Sequence, residues 1–380
     1  MRLFLYLRHF PPYGDKLNNG LSKAIHGLAA GLVTQGATVT ILSEGSSSED
    51  SSFLTAAGYT VECFANPVQS RPSFKLSPSL QTYIRDCLKS TDLVVLNGIL
   101  HPTIYSVSRA LKRLKIPYIV APHDVYHRVM FRKNAHLKFP YWYLLEKRVL
   151  NQARSIQVLD GSQAKWLKCR GIKTQIFATP NGFSPADLCS ESDLGWSDGS
   201  APKLFYFGRP DAYHKGLDLL LAAFADIAQP LNAHLTLQGP NGGDRDQLKQ
   251  QARSLLASNQ ATFLEPEYNK SASLVIANYD IFCLPSRFEG FGLSALEAML
   301  AGRVLLVSEE CGIATHVRAS GCGVVVKPEI SAIQSGLIDL CQLRGDWRTM
   351  GLSGRQYVLE HLRWEQIASN ALDHYQHLVV

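Results

Sequence analysis

The chain has 380 residues, of which 46% are apolar and 18% charged. That is too long for one ordinary core and suits two domains of roughly 180 residues; the composition excludes a disordered chain, a collagen and a disulfide mini-scaffold. The net charge of +6 is unevenly spread: residues 1–185 carry 23 Lys and Arg against 10 Asp and Glu, and the remainder carries 15 against 22. A basic front half suits an anionic partner such as a phospholipid surface, a nucleic acid or a phosphorylated acceptor, or else simply keeps the surface soluble.

No apolar run reaches the ~18 residues that span a bilayer. The first apolar stretch, Leu3–Leu7, is too short for a signal peptide and has no small-residue cleavage site after it. The eight cysteines are scattered without a C-x-x-C pair. They are expected to be mostly buried thiols rather than metal ligands or disulfides. The expectation is a cytoplasmic protein, soluble or peripheral on the inner face of the cell membrane.

In chain order, Leu3–Leu7 reads as a strand and Asn19–Gln35 as a helix, with Leu21, Ile25, Leu28, Ala29 and Leu32 near a 3.6 period. Val39–Leu42 follows as a strand, and the polar run Glu44–Ser52 reads as a mobile loop. Asp92–Leu96, Tyr118–Val120 and Ile156–Leu159 read as buried strands, with a helix around Ile104–Leu114. The turn Asn181-Gly182 and the Ser-rich stretch Ser184–Ser200 read as a linker. The alternation then restarts: Lys203–Phe207, His234–Leu237, Asp280–Leu284 and Val304–Val307 as strands, Gly216–Ala228 as a helix. Strand–helix alternation implies parallel sheets with helices on both faces. The expected architecture is α/β, two doubly wound domains facing a cleft: residues 1–185, residues 186–355, and a last helix over 356–380 packing back on the first domain. Ligands of such sheets sit at the carboxyl ends of strands.

The densest chemistry lies in Leu284-Pro285-Ser286-Arg287-Phe288-Glu289-Gly290-Phe291-Gly292-Leu293-Ser294-Ala295-Leu296-Glu297. A strand ends, glycines turn the chain, and a helix starts near Ser294. The helix start offers free N–H groups to an anion, while Glu289 and Glu297 offer acceptors to hydroxyls. A sugar joined to a diphosphate needs both. Ser294-x-x-Glu297 also fits a plain capping box. A second loop, Phe207-Gly208-Arg209-Pro210-Asp211-Ala212-Tyr213-His214-Lys215-Gly216, places two cations after a strand. Arg209 and Lys215 can grip a diphosphate or can be ordinary solvated cations. His123 ends the strand Tyr118–Val120 and, as a neutral imidazole, can bond a sugar hydroxyl or be a satisfied core residue. Asp244-Arg245-Asp246 resembles a metal-binding D-x-D but reads as the start of a helix.

Glu289-x7-Glu297, the upstream Gly208-Arg209 and Lys215-Gly216, and Pro180-Asn181-Gly182 resemble the retaining glycosyltransferases of family 4, with the GT-B fold. The resemblance implies two Rossmann-like domains, a nucleotide-diphosphate-sugar donor on the second, an acceptor on the first and no metal or other cofactor. It implies that Arg209 and Lys215 neutralise the donor diphosphate and that Glu289 meets the transferred sugar. Phe291, Gly292 and Leu293 would face sugar and phosphates with their N–H groups. Glu297 would hold the ribose, Gly239-Pro240 would flank the base, and His123 would sit near the reacting carbon. Gly20 stands where relatives show adjacent glycines near the donor phosphate; here Asn18-Asn19-Gly20 replaces the pair, after Gly14. A glutamate common in relatives near Thr315 is missing from Gly312–His316.

Tyr126–Leu150 mixes Arg128, Arg132, Lys133, Lys138, Lys147 and Arg148 with Phe131, Phe139, Tyr141, Trp142 and Tyr143. It can lie on an anionic bilayer that presents a lipid-linked acceptor, or pack as a core helix with a solvated face. Other readings are a nucleotide-sugar epimerase or phosphorylase on the same fold, or a non-catalytic binder of nucleic acid. The last lacks a helix-turn-helix or stacking-aromatic signature, so no nucleic-acid partner is expected.

Overall fold

The computed structural model describes residues 1–11, 19–45, 49–66, 73–124, 126, 130–131, 134–196, 201–240, 243–257 and 259–379. It divides into two compact units: Met1–Gly182 with Trp364–Val380, and Phe183–Arg363. Where the sequence reading set its boundaries at 185 and 355, the chain leaves the first unit at Gly182 and re-enters it at Trp364.

The first unit holds an eight-stranded sheet, ordered β3-β4-β2-β1-β5-β6-β7-β8. The strands are β1 Arg2–Leu7, β2 Thr38–Gly45, β3 Ser51–Leu54, β4 Thr60–Ala65, β5 Leu93–Asn97, β6 Tyr118–Ala121, β7 Ile156–Val158 and β8 Ile176–Ala178. The helices are α1 Gly20–Thr34, α2 Pro78–Cys87, α3 Pro102–Arg113, α4 Ala135–Tyr141, α5 Lys147–Gln152, α6 Ser162–Cys169 and the terminal α14 Trp364–Val379. A π turn, Trp142–Glu146, joins α4 to α5. All ladders are parallel except β3 on β4. That antiparallel edge corrects two expectations. The sheet is mixed, and the run read as a loop over Glu44–Ser52 begins inside β2 and ends inside β3.

The terminal helix is seated by small residues on α1. A Cβ on Gly27 would lie 2.0 Å from the Trp364 ring, and one on Gly31 would lie 2.7 Å from Trp364 O. These glycines let α14 approach closely, and Tyr375 Oη donates to Gln157 Oε1 at 2.5 Å to fix its far end.

The second unit holds a six-stranded parallel sheet, ordered β11-β10-β9-β12-β13-β14. Its strands are β9 Lys203–Phe207, β10 His234–Gln238, β11 Ala261–Leu264, β12 Ile281–Leu284, β13 Val304–Ser308 and β14 Gly323–Val326. Its helices are α7 Leu217–Ala228, α8 Arg245–Leu255, α9 Ala272–Ile276, α10 Leu293–Leu300, α11 Ala314–Ser320, α12 Ile330–Gln342 and α13 Trp347–His361. Leu204, Phe205, Ile281, Phe282, Leu305 and Leu306 are at most 1% exposed, as expected of strands covered on both faces.

The described part of the expected linker is packed rather than loose. Cys189 and Leu194 are buried. Arg355 donates to Cys189 O at 2.8 Å, and Arg303 donates to Gly195 O. The eight cysteines are all free; Cys189, Cys283, Cys311 and Cys322 are buried, Cys87 and Cys169 are exposed, and Cys63 and Cys341 are intermediate. Half of them, not most, are therefore buried thiols. Among the described residues no helix is long and apolar enough to cross a membrane.

Candidate active site

In the second unit β9 and β12 are neighbours in the sheet but not in sequence. Strand order reverses between them, which opens a crevice at their carboxyl ends. The loop after β9 carries Arg209 and Lys215; the loop after β12 carries Glu289. A Cβ on Gly216 would lie 2.1 Å from Pro285 O, so the two loops meet backbone to backbone. Further contacts lock them. Tyr206 Oη donates to Arg209 O at 2.7 Å, and His214 stacks on Phe288 with ring centroids 4.0 Å apart. Arg287 grips Asp218 at the head of α7 through two bonds of 2.7 and 2.8 Å.

Within this frame Lys215 Nζ donates to Glu289 Oε2. The two side chains are 17% and 16% exposed, so water screens the pair only in part. Arg209 is different. Its side chain is 65% exposed, and its nearest carboxylate oxygen, Asp211 Oδ2, is 3.9 Å away. The two cations expected together are thus an inner one and an outer one.

The Glu289 loop is held from its far side. Glu289 N–H donates to Glu310 O at 3.1 Å, Gly312 N–H to Glu289 O at 3.3 Å, and Ile313 N–H to Phe291 O at 2.8 Å. The Gly312–His316 segment is therefore the brace of this loop, and His316 meets the Phe291 ring edge-on at 5.7 Å. Gly292 then takes φ +100 and occupies the N-cap position of α10. The helix starts at Leu293, next to Ser294, as expected. Ser294 is its second residue, so the Ser294–Glu297 capping box does not form. Glu297 lies one turn in and is 7% exposed. The amides of Leu293 and Ser294 have no carbonyl four residues back inside the helix, which leaves the helix start suited to an anion.

Gly239 follows β10. A Cβ there would lie 1.9 Å from Gly208 O, so close approach of two loops demands glycine at this position. Pro240 next to it is exposed. Asp244 accepts Ala212 N–H at 2.8 Å, while buried Arg245 pairs with Glu265 at 3.0 Å. The Asp-Arg-Asp stretch therefore holds loops and opens α8.

In the first unit the switch point lies between β1 and β5. Gly20 is the first residue of α1, and Asn19 Oδ1 accepts Ser22 N–H at 2.8 Å. The Asn-Gly pair is an N-cap; Gly14 and Asn18 lie outside the described residues. His123 follows β6 with φ +59, a left-handed conformation uncommon outside glycine. Its Nε2 lies 2.7 Å from Asn97 Oδ1, and burial pushes its pKa down to about 4.

Two further residues shape the loops after β5 and β6. Asn97 is the sole polar residue of β5 and stands at its carboxyl end before Gly98, a signal that was available. Glu146 is buried in the π turn and accepts from Leu100 N–H at 3.0 Å and Tyr126 Oη at 2.6 Å. It ties the loop after β5 to the loop after β6, and burial raises its pKa. Nothing in the local pattern separates it from a surface glutamate.

The α4–α5 segment has two faces. Tyr126, Phe131 and Trp142 are buried with Trp166 in an aromatic cluster. Leu137, Tyr143 and Leu144 are 62%, 58% and 60% exposed, and Phe139 is also exposed. Arg128, Arg132 and Lys133 lie outside the described residues.

Two family descriptions match the chain: glycosyl transferase 4-like domain over residues 19–182, and glycosyl transferases group 1 over residues 197–356. The chain belongs to the glycosyltransferases of the family 4 type, with the GT-B fold. D-inositol 3-phosphate glycosyltransferase from Nocardia farcinica is 29% identical over 60% of this chain and 54% of its own length. Phosphatidyl-myo-inositol mannosyltransferase from Mycobacterium leprae is 23% identical over 96% and 95%. The chain spans about half the length of the first curated relatives it matches. Sucrose-phosphate synthase from Thermosynechococcus elongatus shares the fold with a TM-score of 0.80 at 19% identity, over 99% of this chain and 98% of that one.

Proposed function

We propose that the protein is a glycosyltransferase that moves a sugar from a nucleotide-diphosphate sugar to an acceptor hydroxyl with retention at the anomeric carbon. The observation that carries this reading is the junction after β12. A carboxylate pair, Glu289 and Glu297, flanks a helix start beside an inner lysine. In this reading Lys215, Arg209 and the amides at Phe291, Gly292 and Leu293 neutralise the diphosphate. Glu289 accepts hydroxyls of the transferred sugar, Glu297 accepts the ribose hydroxyls, and Gly239-Pro240 flanks the base. Gly20 stands near the phosphates, and His123 bonds a sugar hydroxyl.

The bond from the anomeric carbon to the diphosphate breaks with its electron pair going to phosphate oxygen. The acceptor oxygen bonds the same face of that carbon, and its proton passes to the leaving phosphate. Charge grows on the diphosphate as the bond breaks, so fixed dipoles and cations lower the barrier. Those groups supply the neutralisation that a metal would otherwise give, so no metal or other cofactor enters this account.

The acceptor is a sugar or lipid-linked sugar in polysaccharide, lipopolysaccharide or glycolipid synthesis, handled at the inner face of the cell membrane. The basic first half and the exposed apolar residues of α4–α5 support an anionic surface as partner. The name of the M. leprae relative, a phosphatidyl-myo-inositol enzyme, supports a lipid-linked acceptor. Nucleic acid is not a partner in this reading. The test is transfer from UDP-, GDP- and ADP-sugars by wild type and Glu289→Ala, with the product anomer read by NMR. Wild-type transfer with retention, lost in the variant while the fold persists, is expected; unchanged turnover in the variant or an inverted product contradicts the proposal.

A further inference from the structure

Asn97 closes β5 and is 3% exposed. The chemistry around it fixes which way its amide points. Nδ2 lies 3.1 Å from Tyr6 O and 3.1 Å from Val95 O. Turned over, the amide would set its oxygen against two carbonyl oxygens. Nδ2 therefore donates to both, and Oδ1 is left to accept. His123 Nε2 lies 2.7 Å from this Oδ1. An amide oxygen has no proton to give, so Nε2 carries the hydrogen. Burial keeps the ring neutral near pH 7, with a pKa of about 4. A neutral imidazole has one N–H, so Nδ1 holds a lone pair.

That lone pair is unmet. His123 Nδ1 is buried and finds no donor among the described residues. A buried acceptor left without a partner costs about 1–3 kcal/mol, and the left-handed backbone of His123 adds strain. A bound molecule, a water or an ion that donates a hydrogen would complete such a site.

We propose that Asn97 is a positioning residue that holds His123 in its Nε2–H tautomer, so that Nδ1 accepts a hydrogen bond from a substrate hydroxyl. This deepens the proposed function and rests on its view of His123 as facing the sugar. It makes His123 an acceptor and not a proton donor. The hydroxyl that meets Nδ1 must point its hydrogen at the ring, so a deoxy or methylated sugar at that position loses the bond.

The test needs no turnover. The full-length protein is labelled with ¹⁵N-histidine, and two-bond proton–nitrogen correlations report the tautomer of His123 at pH 7.5. Wild type is expected to show Nε2–H. Asn97→Leu is expected to mix the tautomers, with thermal melts confirming that the variant folds. Nδ1–H in wild type, or an unchanged tautomer in folded Asn97→Leu, overturns the role of Asn97. Adding UDP-glucose, GDP-mannose or ADP-glucose is then expected to move the Nδ1 resonance with at least one of them and leave Nε2 in place. If the tautomer is as stated and a nucleotide sugar binds by thermal shift without moving Nδ1, the substrate-facing role fails while donor binding stands.

Discussion

Lys215 and Glu289 are 74 residues apart in the chain and meet as an ion pair across the switch point of the second sheet. Each stands at the end of a different strand, β9 and β12, and their loops touch through Gly216 and Pro285. The lysine that the proposed reaction needs for phosphate is thus held, before any ligand arrives, by the carboxylate it needs for the sugar. Binding of a diphosphate sugar would share Lys215 between phosphate and Glu289 and free part of the carboxylate for hydroxyls.

Removing one member strands the other in a partly buried place. Lys215→Ala is expected to destabilise the protein by about 1–2 kcal/mol, the lower range for a charged hydrogen bond that water screens in part. Adding Glu289→Ala is expected to recover some of that loss, because the unpaired carboxylate goes too. Urea titrations of the two single variants and the double variant measure this; fully additive losses would show that the pair is not coupled.

Acid is expected to weaken the fold through His123. Its pKa is about 4 in the folded chain, against an ordinary 6.5. Below pH 6.5 the unfolded chain takes up a proton that the folded ring refuses. The contribution to stability is complete above pH 6.5 and is lost as pH falls toward 4, by on the order of 2–3 kcal/mol. Denaturation of wild type and His123→Asn across this range should give a flatter profile for the variant. Equal slopes would mean that His123 titrates normally.

Much of this arrangement could be read from residues alone, and the exceptions have physical causes. The strand Lys203–Phe207 and the loops around Arg209, Lys215 and Glu289 were legible because buried parallel strands are apolar runs closed by glycine and polar residues. The cap of α10 is set from elsewhere in the chain. Gly292 adopts its left-handed cap because the loop before it is pinned to residues 310–313, a tertiary cause. The edge strand Ser51–Leu54 has little buried surface and so no alternation to read. Ser184–Trp196 looked like a linker by composition. It is held by Arg303 and Arg355 through backbone carbonyls, and such bonds leave no mark on local sequence.

The exposed face of α4–α5 is expected to bind anionic membranes. Leu137, Tyr143 and Leu144 offer apolar area, and the exposed Arg148 offers charge. Sedimentation with phosphatidylglycerol vesicles should pellet the wild type and leave phosphatidylcholine vesicles bare. Leu137→Asp combined with Leu144→Asp should lower binding at least ten-fold without loss of fold. Equal and negligible binding to both vesicles removes the membrane from the account.

A nucleotide-diphosphate sugar is expected to dock on the second unit, at the crevice between β9 and β12. Thermal unfolding of wild type and Lys215→Ala with UDP-glucose, GDP-mannose and ADP-glucose tests it most directly, since a ligand of the folded state raises stability with its affinity. At least one compound is expected to raise the wild-type melting temperature and to do so much less in the variant. No shift with any of them, or the same shift in both proteins, contradicts the claim.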